Sequence, residues 1–96
     1  MIEIMIKSVF SSPTTLKLKE GEYIIGRDPT CQVVLPDPYI SRKHVRLFYR
    51  DGKWYVEDLG SRNGTYINGE DIRGRGAVEV KPGVEVILGL SVIVVK

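Results

Sequence analysis

Three short polar segments hold the side chains with the most chemistry in this chain. They are Gly26-Arg27-Asp28-Pro29, Ser41-Arg42-Lys43-His44 and Gly60-Ser61-Arg62-Asn63-Gly64-Thr65. Each places an arginine beside a small or turn-forming residue. Ser41 and His44 invite a nucleophile-and-base reading, which needs the imidazole in contact with the hydroxyl and a third group to orient it. No nucleophile-elbow motif surrounds Ser41, and the flanking Arg42 and Lys43 disfavour a protonated imidazole. His44 is the sole histidine, so a multi-histidine metal site is excluded. None of the three segments carries a carboxylate pair for acid and base work. A solvated loop, a nucleic-acid contact and a seat for an anion stay open on these residues: guanidinium groups offer planar forks, and a serine hydroxyl adds a short donor. The chemistry expected is therefore binding without catalysis, with no cofactor and no metal.

Such side chains need a scaffold, and the rest of the sequence reads as strands. Period-2 alternation and β-branched residues dominate, while no window holds a helical period. Candidate strands are Ile2 to Ile6, Leu16 to Lys19, Glu22 to Ile25, Val45 to Arg50, Lys53 to Glu57, Tyr66-Ile67, Val84 to Leu88 and Ser91 to Val95. Asp51-Gly52 and Asn68-Gly69 are turn pairs that favour positive φ at both positions. Lys81-Pro82-Gly83-Val84 fits a type II turn. The count is about nine or ten short strands, which indicates an antiparallel sandwich or small barrel. The three polar segments fall in loops, where polar groups are positioned without burial cost.

Composition narrows the classes further. The 96 residues suit one domain spanning 1–96. A net charge of +2 argues for neither nucleic acid nor an anionic membrane surface. Cys31 is the only cysteine and reads as a small buried hydrophobe. The N-terminal stretch has an acid at Glu3 and lacks the apolar core of a signal peptide. The longest apolar run, Val86 to Val95, is interrupted by Gly89 and Ser91 and is shorter than the roughly 20 residues of a membrane span. The compartment expected is the cytoplasm.

Ile25-Gly26-Arg27, then Ser41-Arg42-Lys43-His44, then Asp58 to Gly69 with Asn63-Gly64 inside it, resemble the forkhead-associated (FHA) domain. The three elements occur in that family's order and approximate spacing. The resemblance implies an eleven-strand sandwich of two twisted antiparallel sheets that binds phosphothreonine peptides through loops at one end. It implies that Arg27 and Ser41 hold the phosphate, that Arg42 and Arg62 assist, and that Asn63 bonds the peptide backbone. Gly26 and Gly64 are then architectural, giving tight turns or positive φ, and His44 ties the binding loops together through its ring nitrogens. The partner implied is a threonine-phosphorylated protein or peptide, such as a Ser/Thr kinase or its substrate, met by a monomer without nucleic acid or membrane. A rival reading takes Arg42, Lys43, Arg46 and Arg50 as a basic stripe for single-stranded nucleic acid, with Tyr39 or Tyr66 stacking on bases. Asp51, Glu57 and Asp58 dilute that stripe.

Overall fold

The computed structural model describes residues 1–96. Eleven strands form in chain order: β1 (Ile2–Ser8), β2 (Ser11–Leu18), β3 (Glu22–Gly26), β4 (Val33–Val34), β5 (Val45–Arg50), β6 (Lys53–Asp58), β7 (Thr65–Ile67), β8 (Glu70–Asp71), β9 (Ala77–Glu79), β10 (Glu85–Leu88) and β11 (Ser91–Val95). They pair into a six-stranded sheet, β2-β1-β11-β10-β7-β8, and a five-stranded sheet, β4-β3-β5-β6-β9. No helix of the chain is long and apolar enough to cross a membrane.

The turn chemistry read from the sequence accounts for the hairpins. Asp51 and Gly52 take φ of 52° and 82°, and Asn68 and Gly69 take 54° and 78°. Primed turns of this kind match the twist of the strands they join. Gly83 sits at φ 95° and the Val84 N–H reaches the Lys81 carbonyl at 3.0 Å, closing the expected turn before β10. The alternation of apolar residues then faces the two sheets toward each other. Ile2, Ile4 and Ile6 of β1 meet Val45 and Leu47 of β5, Trp54 and Val56 of β6, and Val86 and Leu88 of β10 in one buried cluster.

The structure also corrects the strand list. β2 begins at Ser11, not Leu16, since Ser11 to Thr15 pair with β1 although every one of them is exposed. An edge strand buries too little to need an apolar alternation, so the sequence carries no signal for this half. β4, β8 and β9 are missing from that list because they are two or three residues long, too short to show an alternation. β3 and β4 pair in parallel, a short exception to the antiparallel pattern.

The outer face of the second sheet holds one further cluster. Phe48 points away from the core yet is only 5% exposed, because Arg46 lies 4.0 Å above its ring, Arg50 lies 5.1 Å away, and Tyr55 stacks at 5.5 Å. The topology also settles where the polar loops go. The end of β3, the start of β5, the end of β6 and the start of β7 all lie at one end of the sandwich. The β10–β11 turn joins them there, since Leu88 pairs with both Thr65 and Ser91.

Candidate functional site

Gly26 ends β3 and lets two loops run together. Past it, the Arg27 N–H reaches the Ser41 carbonyl at 3.1 Å and the Asp28 N–H reaches the Arg42 carbonyl at 3.0 Å. A Cβ at Gly26 would lie 2.2 Å from the Arg42 carbonyl oxygen. Glycine is needed here for space: Gly26 is absent from the positive-φ residues, so of the two reasons expected for it, a tight turn or positive φ, the second does not apply. Gly64 does sit at φ 89°, and its missing side chain also leaves room for the Tyr66 ring, 3.1 Å from where a Cβ would stand.

His44, wholly buried, bridges the second and third loops. Its Nδ1 lies 2.9 Å from the Ser41 amide nitrogen and its Nε2 lies 2.9 Å from the Gly64 carbonyl. Because the amide can only donate, Nδ1 accepts, and the proton sits on Nε2 and is given to Gly64. Burial pushes the imidazole below its ordinary pKa, opposed by the Gly64 carbonyl and by Asp58 and Asp37. The imidazole contacts the Ser41 amide, and the Ser41 hydroxyl is engaged elsewhere, so no nucleophile and base are paired.

Asp58 organises the third loop, a role that sequence reasoning missed. Its Oδ1 accepts from the Gly60 and Ser61 N–H groups at 2.7 and 2.8 Å. Its Oδ2 accepts from the Ser61 and Thr65 hydroxyls at 2.5 and 2.6 Å. Burial raises this carboxyl, but the bonds from Ser61, Thr65 and Gly60 together hold it below the ordinary carboxylate value. An aspartate two and three residues before Gly60 and Ser61 is the signature of an Asx turn, which is the signal that would have found it. Arg73, also missed, donates to the Arg62 carbonyl at 3.0 Å while paired with Asp71.

These supports bring all five residues proposed to touch ligand to one pocket of about 270 Å³, lined by Arg27, Pro38, Tyr39, Ile40, Ser41, Arg42, Arg62 and Asn63. Arg27 Nε donates to the Ile40 carbonyl at 3.1 Å, which anchors the side chain and leaves its terminal nitrogens open. Ser41 Oγ accepts the Arg62 N–H at 3.0 Å, so its own proton remains available to donate. Arg42 pairs with Asp28 at 3.2 Å, whose carboxyl is held below its ordinary value first by the Thr30 N–H and hydroxyl. Neither Arg27 nor Arg62 is in an ion pair. Asn63 Nδ2 donates to the Tyr39 carbonyl at 2.9 Å, leaving its amide oxygen unengaged. Lys43 does not line the pocket. No His, Cys, Asp and Glu cluster is arranged to hold a metal ion.

The FHA domain family model matches residues 23–89. The FHA domain-containing protein FhaB of Mycolicibacterium smegmatis is 42% identical over 80 residues, which are 83% of this chain and 50% of that protein. The chain spans about half the length of the curated relatives it matches. A solved structure of phosphothreonine-dependent FHA domain interactions superposes with a TM-score of 0.82 at 31% identity, covering 98% of this chain and 95% of that one. The FhaA FHA domain complexed with the intracellular domain of Rv3910 superposes with a TM-score of 0.82 at 31% identity, over 97% of this chain and 99% of that one.

Proposed function

This chain belongs to the FHA-domain family, and on that premise we propose that it is a phosphothreonine-dependent interaction module with no catalysis of its own. The observation that carries the reading is the composition of the pocket: three arginines and a serine from three separate loops line it, and no carboxylate does. A phosphothreonine brings about −1.5 to −2 charges and three strong acceptor oxygens. Arg27 gives its open terminal nitrogens to that phosphate and Ser41 its hydroxyl proton. Arg62, free of any ion pair, adds charge from the third loop, and Arg42 does so while sharing its charge with Asp28. Asn63 bonds the peptide backbone with the amide oxygen that Tyr39 leaves unused.

The whole of 1–96 acts as one such domain, as a monomer in the cytoplasm. Its partner is the phosphorylated segment of another protein, a Ser/Thr kinase or a substrate of one. Each charge-assisted bond contributes about 1.5–3 kcal/mol net, and ordering an extended peptide removes several kcal/mol. Affinity on the order of micromolar follows.

The nucleic-acid reading loses its support in the ion pairs. Arg46, central to the supposed stripe, is held by Glu22 at 2.6 Å and Glu57 at 3.0 Å. Arg42 is held by Asp28, and Arg50 leans on the Phe48 ring. A binding screen against an oriented phosphothreonine peptide library, with Arg27→Ala as control, tests the proposal. Selective enrichment by the wild type and none by the variant is expected. A flat profile shared by both proteins would sink it.

A further inference from the structure

The third loop is held from inside the anion seat and from outside it. On the seat side, the Arg62 N–H donates to Ser41 Oγ at 3.0 Å and Asn63 Nδ2 donates to the Tyr39 carbonyl at 2.9 Å. From outside comes Arg73, which lies just past β8 and does not line the pocket. Its Nη1 donates to the Arg62 carbonyl at 3.0 Å and is the one donor that this carbonyl has. Both polar groups of the Arg62 backbone are therefore engaged. A peptide unit is planar and trans, so holding the Arg62 carbonyl also fixes the direction of the Asn63 N–H and the point from which the Asn63 side chain starts. Arg62 has no ion pair to steer its side chain, so the backbone beneath it sets where its charge falls.

Arg73 is itself planted. Its Nε donates to Asp71 Oδ2 at 2.8 Å, its Nη2 reaches the same oxygen at 2.7 Å, and its own N–H reaches Asp71 Oδ1 at 3.0 Å. These bonds, from the Arg73 side chain first and its N–H next, hold the Asp71 carboxyl below its ordinary value and keep it ionised. They also restrict the planar guanidinium to an orientation that aims Nη1 at Arg62. Between the two partners, Ile72 is buried in the core, and its N–H reaches the Thr65 carbonyl of β7 at 2.9 Å. The Ile72 carbonyl accepts the Arg75 N–H at 3.1 Å and closes the turn behind Arg73. The support is thus tied to the core and to β7.

We propose that Arg73, planted on Asp71, is a positioning residue for phosphopeptide binding: it holds the Arg62–Asn63 peptide unit in the orientation that brings the Arg62 guanidinium to the phosphate and the Asn63 amide to the peptide backbone. The inference rests on the phosphopeptide reading and adds to it two residues that touch no ligand. Positioning differs in sign from a contribution of charge. On charge alone, removing the Asp71 carboxylate should tighten the binding of an anionic ligand. On positioning, its removal frees Arg73 and weakens binding. Arg75 supplies the matched comparison, since it lies on the same turn and pairs with Glu70 at 3.0 Å but bonds nothing in the third loop.

The test is calorimetry with the 1–96 protein and one threonine peptide, phosphorylated and unphosphorylated. Arg73→Ala should weaken phosphopeptide binding about tenfold, as expected for the loss of one charge-assisted bond. Asp71→Asn should weaken it about threefold or more by the same loss of hold. Arg75→Ala removes an equal charge from an exposed pair and should stay within about twofold of wild type. In an Asn63→Ala background, where one of the two positioned contacts is already gone, Arg73→Ala should cost less than it does in wild type. If Arg73→Ala does not fold, Asp71→Asn read against Arg75→Ala decides. Four results would each overturn the proposal: Arg73→Ala binding like wild type, Asp71→Asn binding tighter than wild type, Arg75→Ala as weak as Arg73→Ala, or fully additive losses in the double variant. Any of these with a phosphate-dependent wild type overturns this inference alone, whereas equal binding of the unphosphorylated peptide overturns the function beneath it.

Discussion

At the scale of single residues, Arg27 and His44 carry opposite kinds of importance. Arg27 is exposed and anchored by one bond, from Nε to the Ile40 carbonyl. Its loss therefore leaves the fold intact and removes a charge-assisted contact of about 1.5–3 kcal/mol. Arg27→Ala should weaken phosphopeptide binding from about tenfold to over a hundredfold by calorimetry, with an unchanged melting temperature. Arg27→Lys should recover only part of the loss, because one ammonium cannot both hold Ile40 and present a fork. His44 is buried and its imidazole is held below its ordinary pKa. The unfolded chain then binds the extra proton, so the contribution is present above about pH 6.5 and is lost as pH falls below that value. Urea unfolding should show stability falling between pH 7 and pH 5, and a His44→Gln variant should lack that slope; a slope that survives in the variant would contradict the assignment. The residues proposed to face ligand were legible in the sequence because their types and order match a known motif. Asp37 was not, because its donors at Leu90 and Ser91 lie more than fifty residues away and only the fold brings them to it, whereas Asp58 left a local Asx-turn pattern that went unread.

At the scale of elements, Gly26 is the point where β3 and the 41–42 segment touch. Gly26→Ala would drive a Cβ to within 2.2 Å of the Arg42 carbonyl oxygen, which is rigid backbone. Overpacking of this kind costs about 1–3 kcal/mol or more. The melting temperature should fall, and phosphopeptide affinity should fall with it because Arg27 and Ser41 lose their shared ladder. A Gly26→Ala protein with wild-type stability would contradict this account of the loop junction. The long strands were legible for the same physical reason that they are stable: β1, β5, β10 and β11 bury alternate residues, and that alternation is written in the sequence. The Ser11 to Thr15 half of β2 buries little and β4 and β8 are only two residues long, so pairing partners decide them and the local sequence does not. The hairpin turns stood out because positive φ at both central positions restricts the residue choice to few types.

At the scale of the whole molecule, the sandwich gathers its three polar loops at one end. A net charge of +2 is small, yet the pocket gathers three guanidinium groups without a lining carboxylate. The local field therefore comes from arrangement more than from excess charge. Binding of a phosphopeptide should weaken as salt rises, since exposed charges are screened over about 10 Å at 0.1 M. An oligonucleotide without a phosphothreonine mimic should leave the 26–28, 41–44 and 61–64 loops unshifted in an NMR titration. The most direct measurement is a paired calorimetric titration with one threonine peptide, phosphorylated and unphosphorylated. The account predicts affinity on the order of micromolar for the phosphorylated form and at least a hundredfold weaker binding without the phosphate. Equal affinity for the two forms would contradict it.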